Sequence, residues 1–123
     1  LGCAGTILKE ISLGKKVGIV DLTRGELGTR GSVAIRDQEA KAAAKILGVV
    51  ARENLEMRDG FFVNDDKHQL EIIKMIRKYQ PEIVLCNAMA MPITLKEISF
   101  SFMIGGFEAK AKAKLIIIYI KCK

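Results

Sequence analysis

The stretch KVGIVDLTRGELGTRGS, residues 16 to 32, decides the fold, because an apolar run leads directly into a long glycine-rich loop. The apolar part predicts a buried strand over Lys16 to Leu22. The loop carries glycines at positions 25, 28 and 31 together with Arg24 and Arg30. A plain connector needs only about four to six residues. The extra length and the glycines therefore indicate a loop that holds something.

Length and composition make the chain globular, with one domain. It has 123 residues, of which 50% are hydrophobic and 28% are charged, and this excludes a disordered protein. No apolar run approaches the roughly 20 residues of a membrane span, so we expect no membrane partner. Three widely spaced cysteines, Cys3, Cys86 and Cys122, form no CxxC pair. Reduced thiols in a cytoplasmic protein are the expectation.

The net charge of +6 is concentrated in the tail. Residues 96 to 123 hold six lysines against two acidic residues, whereas residues 1 to 95 hold 14 basic against 12 acidic residues. No aromatic residue stands between Lys110, Lys112 and Lys114, which weakens a base-stacking interpretation. We therefore expect no nucleic-acid partner.

Helix and strand signals alternate along the chain. The predicted elements are a helix over residues 4 to 13, the strand Lys16 to Leu22, a helix capped by Ser32 and running to Leu47, a strand Val50 to Leu55, a helix capped by Asn64 or Asp65 and ended by Pro81, and a strand Glu82 to Cys86. The inward residues predicted from apolar spacing are Ala4, Ile7, Leu8 and Ile11 in the first helix, Ala40, Ala43, Ala44 and Leu47 in the second, and Leu70, Ile73, Ile76 and Tyr79 in the third. This order predicts an α/β fold of Rossmann-like, three-layer type with a parallel sheet.

Ligands of such sheets bind at the carboxyl ends of the strands, where the glycine-rich loop lies. Arg24 and Arg30 could bind an anion or sugar hydroxyls, and Glu26 could accept hydrogen bonds. Arg36 stands in the first turn of the next helix, where a cation is unfavourable against the helix dipole. It either binds a ligand or pairs with Glu39 or Glu26 on the surface.

For two further residues, Asp59 and His68, a structural role stands beside the functional one. Asp59, followed by Gly60, is either part of a turn or a sugar contact. His68 is the only histidine, and no cysteine or histidine is spaced to join it in a metal site, so we expect a solvated helix residue.

Several segments together carry a resemblance to a known family. They are LGCAGT at residues 1 to 6, VGIVDLTRGELGTRG at 17 to 31, IRDQEA at 35 to 40, ILG at 46 to 48, NLEMRDG at 54 to 60 and PEIVLCNA at 81 to 88. In this order they resemble the LmbE-like (PIG-L) N-acetylglucosaminyl deacetylases, and within them the bacillithiol-biosynthesis branch. The resemblance covers about 88 residues of the chain, so residues 1 to 88 are interpreted as a partial domain of this type.

The resemblance implies a Zn²⁺ hydrolase that removes acetate from an N-acetylglucosaminyl small-molecule conjugate. It assigns substrate contact to Arg36, a place near the sugar hydroxyls to Asp59, and the shape of the pocket to the loop of Arg24 and Glu26. In the family, zinc is held by an A-H-P-D-D-x-E motif and a D-x-H-x-D-H stretch, and a motif aspartate is the general base.

The chain departs from the family pattern at two places. It begins at the LGC that follows H-P-D-D-x-E in the family, so we expect an N-terminal truncation. After CNA it reads AMAMPITLKE instead of D-x-H-x-D-H. On these grounds no residue of the chain is assigned to catalysis or to metal binding, and the chain as given is predicted to be inactive.

A changed reading frame would account for the second departure. Codons allowed for residues 88 to 99, read from each third base, spell D-G-H-A-D-H-P-K-G-D-K-L, which contains the family motif. We therefore interpret residues 89 to 123 as a divergent or out-of-frame tail. Lys114 to Lys121 could still form a strand by propensity, with an exposed apolar edge prone to aggregation.

Two functions remain open at this point. One is a fragment of the deacetylase that keeps the scaffold and the substrate loop. The alternative is a non-catalytic small α/β module that binds an anionic or sugar ligand. A homo-oligomer is compatible with both.

Overall fold

The computed structural model describes residues 3–63, 65–85 and 116–121. Within them lie the helices α1 (Ala4–Ser12), α2 (Val33–Leu47) and α3 (Asp66–Tyr79), and the strands β1 (Lys16–Thr23), β2 (Ala51–Met57), β3 (Ile83–Leu85) and β4 (Ile116–Lys121). The six elements predicted up to residue 86 are all present. Their ends differ by two residues at most, and Cys86 lies outside the described residues.

Strand β1 forms the middle of the described core. Every residue from Val17 to Thr23 is buried. On one face, Val17 and Ile19 pack with Ile7 of α1, and the end of α2 reaches the same cluster through Leu47. On the other face, Val20 and Leu22 pack with residues of β2 and α3. Helices therefore cover both sides of the sheet, which confirms the predicted three-layer α/β architecture.

The sheet has the strand order β2-β1-β4-β3. Strands β1 and β2 are parallel, and Asp21 of β1 lies opposite Asn54 of β2. Strand β4 is antiparallel to both β1 and β3, so the described sheet is mixed rather than wholly parallel. The predicted strands at residues 16 to 22 and 82 to 86 share this one sheet, but β4 separates them.

Both backbone edges of β4 are therefore occupied. The strand pairs with β1 over Lys16 to Asp21 and with β3 over Ile83 to Leu85. The expectation of an exposed apolar edge was wrong for Ile116 to Lys121, because an apolar, β-branched segment gains more from two ladders of hydrogen bonds than from an open edge. The start of the predicted strand, at Lys114, lies outside the described residues. The interpretation of residues 89 to 123 as a divergent or out-of-frame tail stays a prediction, and its boundary lies outside the described residues.

Local capping explains where the helices begin and end. The Ser32 side chain accepts a hydrogen bond from the Ile35 amide at the start of α2, and Gly48 ends this helix with a φ of 73°. The Asp65 carboxylate accepts one from the His68 amide at the start of α3. Ser32 and Asp65 thus act as the predicted caps.

The faces of α1 and α3 were predicted less well. Leu8 and Leu70 were expected inside, but about half of each side chain is exposed. In α3 the buried residue is Ile72, and Met75, Ile76 and Tyr79 also pack against the core. The expected and the observed inward faces of α3 share Ile76 and Tyr79, so apolar spacing is compatible with either face. Which of the two faces is buried depends on how the helix packs against the sheet.

No helix in the described part of the chain is both long and apolar enough to cross a membrane.

The core position of Leu22 leads to a stability prediction. Its side chain is fully buried, so Leu22→Ala should lower the free energy of unfolding by about 2–5 kcal/mol, since a cavity is left behind. Leu13→Ala is the matched control: Leu13 is 62% exposed, and the change should stay within about 0.5 kcal/mol. Urea unfolding measures both. Equal costs for the two variants would contradict this account of the core.

The cap of α3 leads to a prediction on pH. Hydrogen bonds from the backbone and ring of His68 hold the pKa of Asp65 below its ordinary value. A carboxylate with a lowered folded-state pKa stabilises the fold above its unfolded pKa of about 4, and this contribution is lost as the pH falls through the folded value. The melting-temperature difference between wild type and Asp65→Ala should therefore shrink between pH 7 and about pH 2.

The control for this measurement is Ser32→Ala, which removes a cap that carries no charge. Its difference from wild type should not follow the titration of a carboxylate. A gap for Asp65→Ala that is constant over the same pH range would show that the charge of Asp65 does not contribute.

Candidate functional site

The candidate site lies at the carboxyl ends of the parallel strands β1 and β2. The loop of residues 24 to 32, here called the glycine loop, follows β1, and the turn of residues 58 to 63, here called the β2 turn, follows β2. The parallel pairing brings these two segments to the same edge of the sheet. Helix α2 begins directly after the glycine loop, so its first turn lies there as well.

Asp59 fastens the glycine loop to the β2 turn. It is 7% exposed, and its carboxylate accepts hydrogen bonds from the Thr23 hydroxyl at 3.5 Å and from the Leu27 amide at 3.3 Å. In return, the Asp59 amide donates to the Glu26 carboxylate at 2.6 Å. Both carboxylate oxygens of Asp59 thus accept hydrogen bonds from the protein, and these bonds hold the glycine loop in its conformation.

Glu26 is the residue of the glycine loop that binds the β2 turn, through its hydrogen bond from the Asp59 amide. The hydrogen bond from the Asp59 amide is the main reason why the pKa of Glu26 lies below its ordinary value. The side chain is therefore an ionised acceptor near neutral pH. Its observed part is structural: it closes the glycine loop over the start of the β2 turn.

Arg36 lies against the inner side of the glycine loop. A Cβ atom added at Gly28 would overlap Nη2 and Cζ of Arg36, so a side chain at position 28 would displace the guanidinium from this place. Nη2 donates to the carbonyl oxygen of Arg30. The sequence offered Glu26 and Glu39 as surface partners of Arg36. Among the described residues, its hydrogen-bond partner is instead the Arg30 carbonyl.

Arg24 is held by helix α2. Its guanidinium forms an ion pair and hydrogen bond with Asp37, which is the main reason why the pKa of Arg24 is raised. Arg24 and Arg36 thus tie the loop and the first turn of α2 together in both directions: Arg24 reaches from the loop to the helix, and Arg36 from the helix to the loop.

The structure brings together all four predicted site residues, Arg24, Glu26, Arg36 and Asp59, through the glycine loop. A guanidinium has five N–H donors, and the Arg30 carbonyl takes one from Arg36. Arg36 therefore keeps donors for an oxygen-rich ligand. The site as built can bind and orient a polar molecule at this edge.

Sequence reasoning missed four residues of this arrangement. Thr23 is buried at the end of β1, and its hydroxyl also accepts a hydrogen bond from the Gly25 amide. The Asn54 side chain donates to the Thr23 carbonyl at 2.8 Å and accepts from the Glu56 amide, where the chain turns with a φ of 53°. The other two are Gly28 and Asp37. Only the polar residue at the end of β1, Thr23, and the polar residue within β2, Asn54, gave a usable signal.

His68 is less exposed than expected. Its side chain is 24% exposed, its ring bonds to Asp65, and the Phe62 ring lies 6.5 Å away. The prediction of a solvated residue was therefore wrong in degree, because the Asp65 cap draws the ring back against the helix start.

The described residues do not fit a zinc ion. Among residues 3–63, 65–85 and 116–121, no three His, Cys, Asp or Glu side chains come together in a way that could hold a metal. The carboxylates nearest the site, Asp59 and Glu26, accept hydrogen bonds from the loop and the turn. The zinc that the resemblance implies stays a prediction.

The contact between Gly28 and Arg36 can be tested by a double-mutant cycle. Gly28→Ala should lower the free energy of unfolding by about 0.5–1.5 kcal/mol, because the new methyl group would push the guanidinium out of its rotamer and away from the Arg30 carbonyl. In an Arg36→Ala background the new methyl group has no guanidinium to overlap, so most of the loss of stability caused by Gly28→Ala should vanish. Gly5→Ala is the control: a Cβ at Gly5 meets no atom within 4 Å and the position is helical, so this change should leave stability unchanged or raise it by up to about 1 kcal/mol in either background. Equal costs of Gly28→Ala in both backgrounds would contradict the proposed contact.

Comparison with known proteins shows which family this chain is part of. A family model described as GlcNAc-PI de-N-acetylase (PIG-L) matches residues 1–91. A conserved protein from Thermus thermophilus has a similar crystal structure, with a TM-score of 0.63 and 34% sequence identity over 66% of this chain. The match spans 37% of the length of that protein. The chain therefore belongs to the GlcNAc-PI de-N-acetylase (PIG-L, LmbE-like) family of deacetylase-type hydrolases.

Proposed function

We propose that this chain carries the substrate-binding edge of a hydrolase that removes acetate from an N-acetylglucosaminyl group. The proposed substrate is a small-molecule conjugate of the bacillithiol-biosynthesis type, handled in the cytoplasm. Membership of a deacetylase family supports the reaction class. The bacillithiol branch rests on the segments of the sequence that resemble it.

One observation carries the proposal: the Arg36 guanidinium lies against Gly28 of the glycine loop, in space that a side chain at position 28 would share. Arg36 is half-buried in the first turn of α2, where a cation is unfavourable against the helix dipole, and its hydrogen-bond partner is the Arg30 carbonyl rather than a carboxylate. A planar guanidinium offers paired N–H donors, which match the carbonyl and hydroxyl oxygens of an acetylated sugar.

The other predicted residues take supporting parts in this proposal. Asp59 and Glu26 hold the glycine loop in shape, and Arg24 joins it to Asp37 of α2. The resemblance puts Asp59 near the sugar hydroxyls; because its two oxygens already accept hydrogen bonds from the loop, we propose that it acts on the sugar through the shape of the loop.

Zinc enters the proposal only through the resemblance. Since the described residues do not fit the ion, the part proposed for them is to bind and orient the substrate. Ligands for zinc would have to come from outside the described residues.

The test is a titration of the chain with methyl N-acetylglucosaminide, followed by NMR of the glycine-loop amides. Arg36→Ala should weaken binding by about ten- to a hundredfold, because a hydrogen bond to a charged group contributes about 1.5–3 kcal/mol. Arg36→Lys should restore little, since a point charge does not replace a planar fork. The control is Arg77→Ala, in the last turn of α3 on the opposite face of the sheet.

Acetate release is measured in the same samples. Binding with release supports the full hydrolase, whereas binding without release favours the alternative of a non-catalytic module for a sugar or anionic ligand. Equal affinity of wild type and Arg36→Ala removes Arg36 from the site. A wild-type chain that does not bind the sugar at all overturns the proposed function.

A further inference from the structure

Helix α2 is attached to the sheet in a different way from the other two helices. Helices α1 and α3 each place an isoleucine in a buried core cluster, whereas α2 has no buried residue along its 15 positions. Its half-buried side includes three alanines, which bury little apolar area. Hydrophobic packing therefore gives α2 only a weak preference for one position on the sheet.

A buried ion pair between β1 and β2 lies beneath this helix. Asp21 of β1 has a side chain that is 3% exposed, and Arg52 of β2 has one that is 16% exposed. The guanidinium donates to both carboxylate oxygens of Asp21, with Nε at 2.8 Å and Nη2 at 3.2 Å. This two-point contact fixes the plane of the guanidinium, because the fork can meet the carboxylate in few orientations.

The third nitrogen of the same guanidinium reaches the helix. Nη1 of Arg52 donates to the carbonyl oxygen of Ala40 in α2 at 3.1 Å. One rigid group thus joins β1, β2 and α2. Asp21 sits on the central strand of the sheet, paired on both sides, so it is the fixed point of this arrangement.

Arg36 stands four residues before Ala40, one helical turn away on the same side of α2. Any sliding or tilting of α2 at Ala40 therefore moves Arg36 relative to the glycine loop. We propose that Asp21 and Arg52 are positioning residues, which set the place of α2 on the sheet and so keep Arg36 seated against Gly28. The consequence for substrate affinity rests on the proposed function of Arg36; the positioning itself does not.

Strand β2 offers a matched control next to Arg52. Glu53 lies on the opposite face of the sheet, where its carboxylate accepts hydrogen bonds from Lys78 at 2.7 Å and from the Tyr79 hydroxyl. Both partners belong to the end of α3. Glu53→Gln therefore weakens a polar link of the same strand to the other helix layer, and it should leave α2 unaffected.

The experiment compares amide hydrogen exchange in α2 and α3 by NMR. The main variant replaces the pair as a whole, Asp21→Val with Arg52→Met, since exchanging a buried ion pair for apolar side chains is often neutral for global stability. We expect an unchanged urea midpoint, exchange in α2 faster by about tenfold or more, and unchanged exchange in α3. Affinity for methyl N-acetylglucosaminide should fall by about tenfold, although neither residue touches the sugar.

A second variant covers the case in which the double replacement does not fold. Arg52→Lys keeps the charge beside Asp21 but cannot reach Asp21 and Ala40 together, because an ammonium has no fork. It should also speed exchange in α2 selectively. An increase in the amide exchange rate that is confined to α2, in either variant, supports the inference.

Three results would overturn it: unchanged exchange in α2, equal acceleration in α2 and α3, or faster exchange of α2 in Glu53→Gln. Equal acceleration in α2 and α3 would mean that the pair acts on global stability alone. Faster exchange of α2 in Glu53→Gln would mean that the position of α2 does not depend on Arg52 in particular. Failure of the wild-type chain to bind the sugar would refute the proposed function, and the exchange data would still decide the role of Asp21 and Arg52.

Discussion

The double-sided burial of β1 is the constraint on which the rest of the structure depends. A strand covered by helices on both faces and paired at both edges has to be apolar throughout, and β1 is buried from Val17 to Thr23. Gly18 and the branched residues around it meet this demand. The exceptions are its last polar residues, Asp21 and Thr23, and both are buried with hydrogen-bond partners.

Those two exceptions explain how a plain strand gives rise to a site. Asp21 receives the guanidinium of Arg52, and Thr23 joins the glycine loop to Asp59 of the β2 turn. Burying either group without a partner would cost several kcal/mol at the core edge, so each one forces a neighbouring segment into place. The polar end of β1 thus organises the same edge that a ligand would approach, while its apolar part supplies the stability.

Polar contacts, rather than packing, also determine the relation of α2 to the loop. Arg24 bonds to Asp37, Arg36 to the Arg30 carbonyl, and Arg52 to the Ala40 carbonyl. An alanine-rich face can slide with little loss of contact, whereas a guanidinium fork bound to fixed acceptors cannot. This construction joins a helix that has no buried residue of its own to the loop and to the sheet at three defined points.

The sequence by itself determined the elements, their order and the caps at Ser32 and Asp65, because these depend on near neighbours in the chain. It also indicated the glycine loop and brought Arg24, Glu26, Arg36 and Asp59 into one hypothesis, through a resemblance that the family match confirms at the level of the PIG-L family. Only the tertiary structure decided the place of β4 between β1 and β3, the face that α3 turns to the core, and the partners Asp21 with Arg52 and Gly28 with Arg36. The first two depend on how whole elements meet, and the Asp21 and Arg52 pair joins residues 31 positions apart in the sequence. Gly28 and Arg36 are close in sequence, but their contact needs a loop path that folds back over its own helix, and that path is set by Asp59 from the neighbouring strand.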